Sequence, residues 1–244
     1  LRSRILILVF CAIGLSACAS GAPNGVEPPI YQVEEIGRVY EPIAVSDPLE
    51  GMNRRLYKFN ARFDEAIFLP VVGAYEEVTP SFLRQRVSDF FLNIAEINTF
   101  ANSVLQASPQ KAFPTAFRFI INSTFGVFGI FDVASEMGLQ RHSEDFGQTL
   151  GYWGVGNGPY VVLPLLGPSN LRDTVGRVTD FLTLAWVTPA EIGDNPAYQT
   201  AQYGLQPIDA RSRTPFRYHG TGSPFEYEMV RFFYTEMRQI EIGR

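Results

Sequence analysis

An all-α fold in one domain, from Asp47 to the C-terminus, is what the sequence predicts, and three observations predict it. A polar residue followed by proline recurs at Asp47-Pro48, Thr79-Pro80, Ser108-Pro109, Thr188-Pro189 and Ser223-Pro224. A polar N-cap with proline at the first helical position marks a helix start. Between these marks the apolar residues fall at helical spacing, and no segment shows a convincing period-two alternation.

The chain opens with a segment of another kind. Arg2 and Arg4 precede the apolar run Ile5–Ile13, and Leu15-Ser16-Ala17-Cys18 follows. A basic head, an apolar middle and a small-residue cleavage site make residues 1–17 a secretory signal. The uncharged run from Ile5 to Cys18 is 14 residues, short of the roughly 20 that a membrane-spanning helix needs. Cys18 in the cleavage position resembles a bacterial lipobox, which implies diacylglycerol on its sulfur and an acyl chain on the new amino group. Cys11 leaves with the signal, so an unlipidated Cys18 is a lone thiol in an oxidising compartment. Several lipid chains give stable attachment, and Ala19, rather than Asp, after the cysteine favours the outer membrane. Ala19 to Ser46 is rich in Pro, Gly and Glu and reads as a flexible tether. A first residue of Leu rather than Met points to a truncated or mis-assigned start.

The first helix of the folded body is expected at Asp47-Pro48. From Pro80 to about Ala107, Leu83, Val87, Phe90, Phe91, Ile94, Ile97, Ala101, Val104 and Leu105 share one stripe, which Arg84, Arg86, Asp89, Asn93 and Glu96 avoid. A second helix runs from Pro109 to about Ser123. A short one covers about Phe128 to Met137 and stops at Gly138. Others begin near Ser143 and at Ser169, the latter running to about Leu184. The last runs from Pro224 to about Ile240, with Phe225, Met229, Phe232, Phe233, Met237 and Ile240 on its apolar side. Glu50, Glu191 and Glu226 complete capping boxes at three of the starts.

Composition bounds the partners. Without Arg2 and Arg4 the chain keeps 18 basic and 25 acidic residues, a net of −7, which argues against nucleic acid. Ten of the 20 Phe lie between Phe82 and Phe131, a density that suits a lipid-facing surface. No charge occurs between Glu96 and Lys111, between Arg118 and Asp132, or through the 26 residues between Asp145 and Arg172. The last gap holds six glycines and three prolines, so it is not one spanning helix. Irregular backbone at membrane depth must be covered by protein or line a cavity. The sequence therefore suggests apolar helices in or near a leaflet, with a glycine-rich loop tucked inside them.

Several segments resemble the MlaA family, also called VacJ lipoproteins. The first block is Asp47-Pro48-Leu49-Glu50-Gly51-Met52-Asn53-Arg54-Arg55-Leu56-Tyr57-Lys58-Phe59-Asn60. The second is Phe146-Gly147-Gln148-Thr149-Leu150-Gly151-Tyr152-Trp153-Gly154-Val155-Gly156-Asn157-Gly158-Pro159-Tyr160, continuing through Leu163-Pro164 to Leu171-Arg172-Asp173. Phe119-Ile120-Ile121-Asn122-Ser123-Thr124 and Gly129-Ile130-Phe131-Asp132-Val133-Ala134 also fit, while about Val187 to Gly222 departs most. The resemblance implies a single ring-like domain of amphipathic helices in the inner leaflet of the outer membrane, anchored on the periplasmic side. It implies a central amphipathic channel that removes mislocalised phospholipid from the outer leaflet. It also implies trimeric porins and a soluble periplasmic lipid carrier as partners, with no cofactor and no catalytic residue.

On that reading the loop from Gly151 to Gly167 shapes the channel wall. Gly151, Gly154, Gly156 and Gly158 let backbone approach lipid closely. Tyr152, Trp153 and Tyr160 either sit at headgroup level or pack against the helices. Arg118 and Arg172, which bound uncharged stretches, either contact phosphate or pair with acids such as Asp132 and Asp173. His142 and His219 are the two histidines, too few for a zinc set. His142-Ser143-Glu144-Asp145 offers hydrolase residue types, but adjacent in sequence rather than convergent, and Ser143 reads as an N-cap. Gly154-Val155-Gly156-Asn157-Gly158 lacks the preceding strand and the Lys of a phosphate loop. Two alternatives stand beside the channel: a phospholipase built on His142 and Ser143, and a structural lipoprotein that bridges porins.

Overall fold

A computed structural model describes residues 45–243. The signal segment, the lipidation residue Cys18 and the tether up to residue 44 lie outside the described residues. Val45 packs against the core, and the Ser46 carbonyl accepts from the Tyr160 N–H at 3.3 Å, so the ordered body includes two residues ahead of Asp47.

Helix α1, Glu50–Phe63, passes through a π turn, Asp64–Phe68, into α2, Leu69–Val78. Pro70 accounts for the turn. A proline inside a helix cannot donate to the carbonyl four residues back, and its ring crowds that carbonyl; the helix widens immediately before it. The same solution recurs at Pro207, where a second π turn, Ala201–Leu205, precedes it.

Helices α3, Ser81–Leu105, and α4, Pro109–Thr124, form a helical hairpin. It closes at Ala107, whose φ of 53° lets the Ser108 N–H reach the Ser103 carbonyl at 3.0 Å. Helix α5 (Val133–Glu136) follows, then α6 (Phe146–Tyr152). Helix α7 (Leu171–Val187) crosses α6 so closely that a Cβ on Gly176 would collide with the Gly147 backbone. The short helices α8 (Ala190–Gly193) and α9 (Pro196–Thr200) lead through the second π turn to α10 (Gln206–Ser212), and α11 (Glu226–Ile242) ends the fold.

Most expected helix starts are found to within about three residues, but not by the expected contacts; the helix expected from Phe128 starts only at Val133, because Val127, Phe128 and Gly129 take left-handed backbone. None of the five polar-proline marks supplies a side-chain cap. Pro80 and Pro189 are themselves the extended cap residues, with ψ of 146° and 142°. The side-chain caps are Asp132, Asp145, Asn170 and Asn195. Asp145, not Ser143, therefore caps α6. Glu226 closes no capping box; its carboxylate accepts from the Tyr57 hydroxyl at 2.5 Å and from the His219 N–H at 2.7 Å.

The body is predominantly helical, with one correction to the all-α expectation. Tyr160–Leu163 (β1) and Gly167–Asn170 (β2) pair antiparallel, with Tyr160 opposite Asn170 and Leu163 opposite Gly167. Gly167, at φ 78°, closes the three-residue connection in the left-handed position such turns require. The outer edge of β1 is covered by side chains of α1. The Asn53 amide donates to the Tyr160 carbonyl at 3.0 Å and accepts from the Val162 N–H at 2.9 Å. Two turns on, the Asn60 amide donates to the Leu163 carbonyl at 2.9 Å and accepts from the Leu165 N–H at 2.8 Å. Two asparagines thus stand in for a third strand. Tyr57, between them, packs with Tyr160, Val162 and Tyr227 into a small aromatic core, its ring 5.6 Å from that of Tyr227.

Replacing Asn53, which is fully buried, leaves two backbone groups of β1 unsatisfied, at about 1–3 kcal/mol each. We expect Asn53→Ala to lose at least about 2 kcal/mol in denaturant unfolding followed by circular dichroism in detergent.

Candidate functional site

The polarity of the body is inverted relative to a water-soluble protein. Polar and charged side chains outnumber apolar ones among its buried residues, while large apolar residues crowd its surface. Helix α3 buries Ser88, Asp89, Asn93, Glu96, Thr99, Asn102 and Ser103, and exposes Phe82, Leu83, Phe100, Val104 and Leu105. Helix α4 buries Thr115, Arg118 and Asn122 and exposes Phe113, Phe117 and Ile120. Helix α7 buries Arg172 and Asp173 and exposes Val178, Phe181, Leu182 and, at 87%, Trp186. Exposed apolar area on this scale marks an interaction surface. Among the described residues no helix is long and apolar enough to cross a membrane.

Arg118 is wholly enclosed. It donates to Glu96 at 2.9 Å, to both oxygens of Asp132 at 2.9 Å, to the Ser135 hydroxyl at 3.1 Å and to the Leu139 carbonyl. Burial alone would raise the Asp132 pKa. The donors Ser135, Asn122 and Arg118 outweigh it and hold the carboxyl well below the usual carboxylate range. Arg172 donates to Asp173 at 2.9 Å, and Asp173 also accepts from the Tyr234 hydroxyl at 2.7 Å and from Arg238 at 2.8 Å. Burial opposes ionisation of Asp173 too, and Arg238 and Tyr234 pull its pKa down in net. For Arg118 and Arg172 the ion pairs are therefore the observed arrangement. Both guanidiniums are buried inside such pairs rather than presented to a phosphate.

The glycine-rich stretch is on the surface, not tucked among the helices. Gly151 lies in the last turn of α6, where a Cβ would strike Ile242 and crowd Arg172. Tyr152 and Trp153 are exposed and meet edge to face at 5.7 Å, and the Trp153 indole donates to the Leu105 carbonyl at 3.0 Å. Gly154 and Gly158 have φ of 87° and 66°, and Gly156 faces open space. Tyr160 parts from the other two aromatics. It is 2% exposed and belongs to the aromatic core, so for it packing, not a headgroup position, is observed.

The cavity lies further along. A space of about 620 Å³ opens between α1, the first π turn, the turn that joins β1 to β2, the segment from Arg211 to Thr221, and α11. Its walls are mostly apolar, with Phe63, Phe68, Leu165, Leu166, Met229, Phe233 and Met237 among them. Of the loop expected to form a wall, the cavity takes Leu165 to Gly167 but none of Gly151 to Tyr160. Asp64 and Arg211 brace one side through two hydrogen bonds of 2.7 Å, and Arg211 also holds the Thr214 and Phe216 carbonyls. Asn60, Glu226 and Tyr57 also line it, buried and bonded within the protein. The apolar side of the last helix was the signal in sequence for this wall. Arg211, Phe216 and Tyr218 fall in the stretch least like the family pattern, and nothing in their spacing pointed to them.

Ser143 is exposed, and among the described residues no hydrogen bond joins it to His142. Glu144 is committed to Lys111 at 2.7 Å and to Gln106 at 2.9 Å. Among the described residues no three His, Cys, Asp or Glu are grouped to hold a metal ion.

The sequence profile of the family described as MlaA lipoprotein matches residues 45–241, so it extends across the divergent stretch. The chain is 40% identical over 136 residues to an uncharacterized protein of Rickettsia prowazekii, covering 56% of this chain and 54% of that one. Its match thus spans about half the length of that relative. It is 31% identical over 212 residues to the Haemophilus influenzae intermembrane phospholipid transport system lipoprotein MlaA, covering 86% of this chain and 78% of that one. The protein so named from Escherichia coli is 40% identical over 155 residues, 61% and 62% of the two chains. A solved structure described as "Structural basis for maintenance of bacterial outer membrane lipid asymmetry" superposes with a TM-score of 0.68 at 31% identity. It covers 81% of this chain and 99% of that one.

Removing Arg118 leaves Glu96 and Asp132 with only the longer pairing to Arg141, at 3.4 Å from each, so Arg118→Ala should cost about 3–5 kcal/mol in denaturant unfolding at neutral pH. Asp132 has a lowered folded pKa. Its contribution is present above the unfolded value of about 3.9 and is lost as pH falls toward the folded one. The stability gap between wild type and Asp132→Asn should therefore be widest near neutrality and shrink below about pH 4, as read by the same unfolding measurement.

Proposed function

Since the chain belongs to the MlaA lipoprotein family, we propose that it extracts mislocalised phospholipid from the outer leaflet of the outer membrane and passes it to a soluble periplasmic carrier. On this reading it is anchored through Cys18 and seated in the inner leaflet as a ring-like body. It works beside trimeric porins, and lipid asymmetry is the result. The observation that carries the reading is an apolar cavity inside a body whose outer faces are themselves apolar.

The physical difficulty in moving a phospholipid is its charged headgroup, which hydrocarbon solvates poorly. A path needs apolar surface for the chains and polar groups for the head. Leu166, Met229, Phe233 and Met237 offer the first; Asn60, Arg211 and Tyr57 line the same cavity but are bonded within the protein, so the head stays in the solvent at the cavity mouth. The volume suits one acyl chain or a small part of a lipid rather than a whole molecule, so the lipid is taken in stages. The surface loop with Gly154 and Gly156 serves as the approach to this path, and Tyr152 and Trp153 sit at headgroup level. Net direction is set by the partners.

Phe233→Glu places a charge in the wall of the cavity, and Gly156→Leu fills the approach at a position with room for a side chain. In cells lacking the native protein, both variants should fractionate with the outer membrane yet leave phospholipid in the outer leaflet. Labelling of surface-exposed phospholipid reads the outcome. Full restoration of asymmetry by Phe233→Glu would remove the cavity from the path, and by Gly156→Leu, the loop.

A further inference from the structure

From the outward face of α1 we infer a binding surface for anionic phospholipid headgroups, formed by Arg55, Lys58 and Arg62. The three follow one another at spacings of three and four, which places them together on one side of a helix. All three are exposed. Among the described residues they are also the basic side chains with no hydrogen-bond or ion-pair partner. Every other described Arg and Lys is tied to a carboxylate or a carbonyl, as Arg54 is to Glu50, Lys111 to Glu144 and Arg213 to Asp209. In an acidic chain, with 25 acidic and 20 basic residues, three unneutralised cations on one helical face form a local reversal of sign.

The same face fixes the kind of partner. Met52 and Phe59, exposed at 48% and 49%, alternate with the cations at positions 52, 55, 59 and 62 of the helix. Cations interleaved with apolar side chains are the pattern of a helix lying at a lipid–water boundary. There the apolar groups enter the acyl region while Arg and Lys extend to the phosphates. The opposite face cannot serve, because Asn53, Tyr57, Asn60 and Asp64 are spent on the hairpin, Glu226 and Arg211. The inference rests on the reading that this body sits at a phospholipid surface, and adds a preference for lipids of net negative charge. Three cations at an anionic surface strengthen attachment on the order of a hundredfold, an effect that salt screens.

The test uses the full chain in unacylated form (Cys18→Ala, here the wild type at the cationic face) and the same chain with R55Q/K58Q/R62Q, whose substituted side chains have no described partner to lose. Both are mixed with vesicles of phosphatidylcholine alone and of phosphatidylcholine with phosphatidylglycerol, and bound protein is measured by flotation at low and high salt, beside thermal unfolding as a check on folding. The wild type should prefer the anionic vesicles on the order of a hundredfold and lose that preference in high salt. The variant should unfold like wild type and bind both vesicles as wild type binds the neutral ones. Binding of wild type to both vesicles without preference overturns the headgroup site and leaves the membrane seat standing; binding to neither overturns the seat as well. A variant that keeps the anionic preference but no longer passes labelled lipid to the purified carrier overturns the inference in favour of an acidic protein partner.

Discussion

Hydrocarbon neither donates nor accepts hydrogen bonds, and the whole arrangement of this body follows from that constraint. Against lipid there is no hydrophobic drive to turn apolar side chains inward, so what orders the helices must be polar, and each polar group must find its partner within the protein. Arg118 shows the consequence at one point. One guanidinium gathers Glu96 from α3, Asp132 and Ser135 around α5, and the Leu139 carbonyl. A second chain of bonds runs from Lys111 through Glu144 and Gln106 to Thr149, then through Asn102 to Asp180. It ties α4 to α3, α6 and α7. Networks of this kind specify one arrangement of helices because a partly satisfied version is costlier than an apolar core.

The cavity is where that pattern reverses, and the reversal is built by α11. One side of this helix is fastened by charge and hydroxyl: Arg231 and Tyr227 to Asp47, Arg54 to Glu228, Tyr234 to Asp173, and Arg238 to Asp145 and Asp173. The other side, with Met229, Phe233 and Met237, is left facing space. Polar ties at the helix's back free its apolar front from any structural duty. On the proposed reading, an acyl chain occupies that front without displacing a contact the fold needs. The π turn at Asp64–Phe68 contributes to the same end, since widening the helix before Pro70 places both Asp64 and Phe68 on the cavity wall.

Most of the helices were legible in the sequence, and the reason is physical. A stripe such as Leu83, Val87, Phe90 and Ile94 repeats at the same spacing whether it faces a core or a lipid, so periodicity locates α3 while leaving its orientation open. The caps were less legible. Polar-proline pairs fell near five starts, but the carboxylates and amides that bond the free N–H groups are Asp132, Asp145, Asn170 and Asn195. The hairpin escaped because its stabilising partner is not a strand. Asn53 and Asn60 lie more than a hundred residues before it, and a four-residue run of Tyr160-Val161-Val162-Leu163 has no alternation to betray it. For the site, Leu165 to Gly167 lay inside the expected loop and Met229, Phe233 and Met237 on the expected apolar stripe. Arg118, Arg172 and Tyr160 were visible as exceptional residues, and distant partners decided that each is internal.

The connection after α4 gives the constraint its sharpest local expression. Val127 and Phe128 take φ of 53° and 56°, and Gly129 follows at 89°. Left-handed backbone at a β-branched and then an aromatic residue costs of order 1–3 kcal/mol each. The turn is held by bonds from the Phe128 and Gly129 N–H groups to the Ser123 and Asn122 carbonyls, at 3.0 and 2.8 Å. The conformation leaves Phe125 and Phe128 exposed at 77% and 78%. In water such a turn would combine backbone strain with two unburied aromatic rings, and relaxation of the backbone would bring relief from both. In hydrocarbon the second cost vanishes, and backbone bonds occupy the Phe125, Gly126, Phe128, Gly129, Ile130 and Phe131 N–H groups. The strained turn thus keeps Phe125 and Phe128 on the same exposed apolar surface as the outward side chains of α3 and α4.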